Sequence, residues 1–223
     1  MALNFAAVPE SRFDGVVDAL REAILVGRYQ PGERLLQEEV AEALGISRIP
    51  LREALRRLEG EGLVVISPNR GAIVRPLGPK DVVDLYDVRL ALETLAVRRA
   101  AERYADLREA TETRRAAALR ALDQGNLATL FHLDRDYHAE LAAASQNPHL
   151  IGALGAQWSQ IMRMMHAFLK STTYPPAVWD DHAAIARAVA HGDADAAAAH
   201  LERHLISSRD AILELLRAAE PPP

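Results

Sequence analysis

The sequence predicts a mainly α-helical chain in two parts, and three observations carry that prediction. Hydrophobic residues make up 49% of the chain but aromatics only 5%, and alanine is abundant, which suits closely packed helices. Between Val64 and Val74 two short β-branched runs flank Ser67-Pro68-Asn69-Arg70-Gly71, a strand–turn–strand pattern. From Lys80 onward apolar residues recur every three or four positions, with no alternating run. The 223 residues suffice for two modest domains. Their boundary is expected at Arg75-Pro76-Leu77-Gly78-Pro79, where Pro and Gly break both periodicities. The expected organisation is an N-terminal domain of three helices and a β-hairpin wing over 1–76, a linker at 77–80, and an all-α bundle of six to seven helices over 81–223.

In the first part, residues 1–11 read as a loose arm. Phe13 to Gly27 is an amphipathic helix with Val16, Val17, Leu20, Ile24 and Leu25 inward. A turn follows at Tyr29-Gln30-Pro31-Gly32. A short helix from Glu38 has Val40 and Leu44 on its apolar stripe and Gly45 to close it with positive φ. Ser47 then caps the next helix, and Pro50 falls in its first turn, where a missing N–H costs nothing. Leu51, Ala54, Leu55 and Leu58 share one buried face, while Arg48, Arg52 and Arg56 lie opposite, with Arg57 alongside. Two short helices joined by a glycine turn, the second basic outside, make a helix-turn-helix, and the hairpin after it makes a wing. Arg70 falls near the wing tip, within reach of a phosphate or the minor groove.

In the second part, Asp81–Tyr104 is a long helix with Val82, Leu85, Val88, Leu92 and Leu95 as its expected stripe. A helix over 107–123 ends near Gln124-Gly125-Asn126, and Leu127–Ala144 is the next. Asn147 and Pro148 are cap and first-turn residues for a fourth, reaching about Lys170. Thr172–Pro176 is a loop, a fifth helix covers Ala177–Ala190, His191-Gly192 breaks it, and a sixth runs from Asp193 to about Ala218.

Charge and composition exclude several classes. The formal net charge of -5 does not argue for nucleic acid, yet Ser47–Arg57 holds four Arg against one Glu, and DNA binding needs a basic patch rather than a basic protein. With no cysteine, disulfides, thiol nucleophiles and thiolate metal sites are excluded. No apolar run approaches the ~20 residues of a membrane span, and no signal peptide is evident, so the expected location is the cytoplasm, away from membranes.

All eight histidines lie beyond residue 130. Asp134 and His138 are four apart on one helix and so project from one face. With His182 on the fifth helix and His204 on the sixth, imidazoles and a carboxylate from three helices could hold Zn²⁺ or a similar ion. On spacing alone the plainer reading weighs more, because Asp/His pairs one turn apart are common on solvated faces. Trp158, Met162 and Met165 read as core.

At Gly27-Arg28-Tyr29-Gln30-Pro31-Gly32, Gly45-Ile46-Ser47-Arg48, Pro50-Leu51-Arg52-Glu53-Ala54-Leu55, Glu61-Gly62-Leu63 and Asn69-Arg70-Gly71 the chain resembles the bacterial GntR-type transcription regulators. The resemblance covers most of residues 13–76. An all-α domain behind such a winged helix resembles the FCD effector domain of the FadR subgroup. Metal-binding members show an Asp, a His four residues later, a His opening a later helix and a His beside Leu in the last helix. These correspond to Asp134, His138, His182 and His204, with His200 and Asp136 as rivals.

The resemblance also implies DNA contacts from Ser47, Arg48, Arg52, Arg56, Asn69, Arg70 and Gly71, and effector contacts from Arg89 and Arg163. For Arg89 the plainer reading is a surface pair with Glu93, worth a few tenths of a kcal/mol. Two departures stand out: Glu38 lies where several relatives carry a DNA-contacting Arg, and Ile49 replaces a more usual Thr. The implied function is a ligand-responsive regulator, a repressor by expectation. It would bind a two-fold operator as a homodimer and sense a small carboxylate at a divalent metal, Zn²⁺ first, with Ni²⁺ or Mn²⁺ able to use the same ligands. The competing readings are a metal-dependent hydrolase or oxygenase centre in the bundle, and a purely structural metal.

Overall fold

A computed structural model of the chain describes residues 13–67, 71–168 and 175–219. The arm at 1–11, the wing-tip residues Asn69 and Arg70, and the proline-rich end fall outside the described residues. The chain divides into two compact units, Met1–Leu77 and Gly78–Pro223.

In the first unit, α1 (Phe13–Leu25), α2 (Gln37–Leu44) and α3 (Arg48–Gly60) enclose a hydrocarbon core with β1 (Arg34–Leu35), β2 (Val64–Ser67) and β3 (Gly71–Val74). Val16, Val17, Leu20 and Ile24 from α1 meet Leu51, Ala54, Leu55 and Leu58 from α3, as the apolar spacing requires. Truncating such a fully buried leucine as Leu51 to alanine costs about 2–5 kcal/mol. Gly45 ends α2 in the left-handed region at φ 67°, where a side chain would be strained. Ser47 is extended and starts α3, but its hydroxyl makes no capping hydrogen bond, so it caps through its backbone position alone.

The sheet order is β1-β3-β2, all antiparallel, with Val64 opposite Val74 and Ser67 opposite Gly71. Strand β1 has no precedent in the sequence reading. Two residues cannot display an alternating pattern, and β1 forms only because β3 offers a free edge to Arg34 and Leu35. Arg21 donates to both carboxylate oxygens of Glu61, at 2.8 and 2.7 Å, which ties α1 to the end of α3.

The second unit contains, among the described residues, six helices: α4 (Pro79–Glu102), α5 (Arg108–Asp123), α6 (Leu127–Ala144), α7 (Pro148–Phe168), α8 (Ala177–Ala190) and α9 (Ala194–Ala219). Helix α4 begins at Pro79, inside the stretch read as linker. It packs along α9, and the buried alanines Ala96, Ala100, Ala197 and Ala198 let helices approach closely. Asn126 caps α6 by accepting from the Thr129 N–H at 3.1 Å, and Asn147 accepts from His149 and Leu150 at the start of α7. Gly192 carries the turn before α9 at φ 73°, a left-handed conformation that favours glycine, and a Cβ there would also displace the exposed Tyr104 ring.

Three of the five residues of the expected α4 stripe face the core, with Leu92 packed partly buried against it, and two do not. Val82 and Leu85 are buried, but Val88 and Leu95 are 40% and 43% exposed. The inward face instead carries Tyr86, Arg89, Glu93, Ala96 and Val97. Two charged residues point into the bundle, and a search for apolar periodicity skips over them.

Candidate metal and effector site

The helical unit gathers its polar side chains at one place. Asp134 and His138 point inward from α6, one turn apart, His182 from α8 and His204 from α9, all buried. His138, His182 and His204 each offer a ring nitrogen, and these three atoms lie within 4.8 Å of one another. The His182 and His204 Nε2 atoms are 3.3 Å apart, and Asp134 Oδ1 is 3.6 Å from His182 Nε2. Two ligand atoms on a tetrahedral ion with ~2.0–2.1 Å bonds stand roughly 3.3–3.4 Å apart. The donors suit a divalent ion in chemistry, and the His182–His204 spacing matches two ligands of one ion, while the three imidazole nitrogens as a group are looser, within 4.8 Å. His200 is outside the cluster and lies against Arg203, while Asp136 is exposed and bonded to Arg135.

A shell of buried groups, with half-exposed Asp181 at its edge, surrounds these imidazoles. Glu93 Oε2 lies 2.6 Å from His138 Nδ1, so Nδ1 carries the proton and Nε2 faces the cluster with its lone pair. Arg89 donates from Nε to Glu93 Oε1 at 2.7 Å, and its Nη2 is 3.5 Å from His138 Nε2. The pair taken from spacing as a surface contact is thus an interior one, with both side chains 3% exposed. Its guanidinium lies near the rings of Tyr86 and Trp158, at 5.1 and 5.6 Å. On α8 the His182 ring stacks on Tyr137 at 4.0 Å, and the Tyr137 hydroxyl donates to the His182 carbonyl at 3.1 Å. On α9 His204 Nδ1 is 3.7 Å from Asp181 Oδ2.

The electrostatics follow from burial. Desolvation, reinforced by repulsion from the neighbouring imidazoles whenever they carry a proton and from Arg89, holds His182 well below its ordinary pKa. Burial lowers His204 as well, against the pull of Asp181. For Glu93, burial alone would raise the carboxyl, but Arg89 and His138 outweigh it and hold it down to about 2. At neutral pH the site therefore presents neutral imidazoles on α8 and α9 and a firmly ionised Glu93.

A cavity opens beside this cluster. Arg89, Asp134, Asp181, His204, Ser207 and Ser208 supply its polar lining, and Tyr86, Met165, Val178 and Ile212 its apolar wall. Met162 and Met165 are buried, as their reading as core requires, and Met165 also lines this cavity, while half-buried Trp158 lies beside the His138 ring. Arg163 is buried and donates to Gln160 at 2.9 Å, but it is not among the residues lining this cavity. The sequence reading missed Glu93, Tyr137 and Asp181. The spacing Arg89-x-x-x-Glu93 was visible, but nothing in it distinguished an inward pair from an outward one.

In the winged unit the expected DNA-facing residues of α3 are exposed, while Asn69 and Arg70 lie outside the described residues. Arg48, Arg52 and Arg56 project from α3, Arg48 paired with Glu38 and Arg52 lying 3.4 Å from Gln37. Arg57 bonds Asp14 of α1 at 2.7 Å instead. A shallow cleft between α3 and the hairpin is lined by Gln37, Arg52, Arg56, Ser67 and Gly71.

Residues 13–74 match the bacterial regulatory proteins of the gntR family, and residues 84–207 match the FCD domain. The Nta operon transcriptional regulator of Aminobacter aminovorans is 32% identical over 203 residues, covering 86% of this chain and 90% of its own. A probable D-xylose utilization operon transcriptional repressor of Paenarthrobacter nicotinovorans is 29% identical, over 85% and 84% of the two chains. A solved GntR regulator structure from Rhodococcus sp. RHA1 superposes with a TM-score of 0.74 at 27% identity, covering 95% of this chain and all of its own. These relatives are transcriptional regulators rather than enzymes, which removes the hydrolase or oxygenase reading. The chain belongs to the GntR family of bacterial transcriptional regulators, with an FCD domain behind its winged helix.

Proposed function

We propose that this regulator is a ligand-responsive repressor. It acts in the cytoplasm as a homodimer on a two-fold operator, and its helical unit senses a small carboxylate at a divalent metal. The observation that carries this reading is the clustering of His138, His182 and His204 from three helices, with Asp134 3.6 Å from His182 Nε2, beside a cavity. Three imidazoles and one carboxylate suit Zn²⁺ better than Mg²⁺ or Ca²⁺, which favour all-oxygen shells, and Ni²⁺ or Mn²⁺ could use the same ligands. A bound ion would supply positive charge and open coordination positions for carboxylate oxygens. Arg89 adds a second cation at the cavity wall, and Ser207 and Ser208 offer hydroxyls to polar groups of an effector. Glu93 keeps His138 in one tautomer and one orientation.

The two-fold arrangement is supported by what the helical unit leaves uncovered. Val83, Val88 and Leu95 on α4 and Ile151 on α7 are exposed apolar residues that a second copy would bury. One half-site supplies too little affinity alone, so an effector that alters the separation of two winged helices alters operator occupancy. In each half, Arg48, Arg52 and Arg56, with Ser47 at the start of α3 and Gly71 in the wing, would meet the duplex.

The test is a thermal-shift series of small carboxylates on Zn²⁺-loaded and metal-free protein, followed by operator binding. A true effector raises the melting temperature with concentration in the loaded protein only, and changes its operator affinity. Equal stabilisation of both forms, or none by any carboxylate, would contradict the proposal.

A further inference from the structure

Helix α3 buries Leu51, Ala54, Leu55 and Leu58. At about 100° per residue, the direction opposite that face is occupied by Ile49, with Glu53 and Arg56 close to the same line and Arg52 beside it. A helix meant only for solvent would place a charged or polar residue there. Ile49 is instead 73% exposed, the most exposed large hydrophobic residue among those described. Its immediate neighbours are charged or bonded elsewhere: Arg48 pairs with Glu38, and Arg52 lies against Gln37.

These surroundings narrow what can cover the side chain when α3 enters the major groove, and this step rests on that DNA-reading role. Phosphates are repelled by Glu53 and gain nothing from an isoleucine. Most base edges present donors and acceptors, which a hydrocarbon would leave unpaired. The exception in the major groove is the C5 methyl of thymine, the one apolar group that direct readout offers there.

We propose that Ile49 is a specificity-determining residue that packs on the thymine methyl of one base pair in each half-site. Arg52 and Arg56, on the same exposed side, fix the register of the helix. An isoleucine at this point discriminates by shape and hydrophobicity. It also disfavours cytosine at that position, since cytosine lacks the methyl and has an amino group that requires an acceptor.

The test uses the full-length protein and a duplex that it selects from a random pool. Each thymine is replaced in turn by deoxyuridine, which removes only the methyl and keeps base pairing. One position per half-site should weaken binding about fourfold, the worth of one buried methyl. Ile49→Ala, which removes the contact from both half-sites of the dimer, should bind the parent duplex about sixteenfold less tightly and show no further loss with deoxyuridine there. Ile49→Val, which keeps branched methyls, should retain the effect. The residue is exposed, so neither variant threatens the fold. If no thymine shows a methyl effect, or if Ile49→Ala still shows it, the proposal is overturned. If the wild-type protein selects no sequence at all, the DNA-reading role of α3 fails, and the assignment of Ile49 fails with it.

Discussion

The two units of this chain keep their chemistry in opposite places. In the winged unit the core is hydrocarbon from α1 to β3, and the charged side chains that matter lie outside, on α3. In the helical unit the interior holds Arg89, Glu93, Asp134, His138, Arg163, His166, His182 and His204. Among the described residues every buried charged or histidine side chain belongs to this second unit. A DNA-reading surface must meet a large, wet, charged partner, so its groups can remain solvated until contact. A small-molecule sensor must enclose its ligand, so its charged groups must be desolvated in advance and satisfied by one another.

The sharpest way to break that contrast is to remove one member of a pair in each unit. Glu93→Ala strands the Arg89 guanidinium in the bundle and should cost about 3–5 kcal/mol in urea denaturation. Removing the wing-side counterpart, Glu38→Ala, frees an Arg48 that is already solvated and should change stability by no more than about 1 kcal/mol. Similar losses from the two would contradict the contrast.

Next in size is the cost of a DNA-facing arginine. Arg52→Ala should weaken operator binding by about 1–3 kcal/mol and relax preference at one base per half-site, with the melting temperature unchanged. Operator affinity equal to wild type would remove Arg52 from the interface.

Acid should act on one unit and spare the other. His182 and His204 are held neutral by burial, below the ordinary imidazole value near 6.5. Unfolded chains take up these protons as pH falls through about 6.5, while the folded chain does not until lower pH. The stability of metal-free protein should therefore be level above that point and decline below it, in proportion to the two depressed imidazoles. Denaturation curves collected between pH 8 and 5 check this, and His182→Phe should flatten the slope. Stability that rises on acidification would have the wrong sign for buried neutral histidines.

The same contrast explains what could be read in the sequence. In α3, apolar residues inside and arginines outside form the pattern that periodicity detects, so the helix, its buried face and its basic face were all legible. Helix ends set by local chemistry, such as Leu127–Ala144 between Asn126 and Ser145, were legible too. Helix α4 was placed but its buried face was misjudged in part, because Arg89 and Glu93 occupy it as an ion pair and Val88 and Leu95 lie outside. Strand β1 and the approach of Asp181 to His204 depend on tertiary partners, and no local signal announces them. The four candidate ligands came from the family resemblance rather than from spacing, and the clustering of His204 rather than His200, one turn earlier, with His138 and His182 depends on tertiary packing.

Whether the interior of the helical unit holds a metal is answered by elemental analysis of purified wild-type protein beside His182→Ala, His204→Ala and His200→Ala. One divalent ion per chain is predicted in wild type and His200→Ala, and none in the other two variants. Metal retained by His204→Ala but lost from His200→Ala, or no metal in wild-type protein supplied with Zn²⁺, would contradict that prediction.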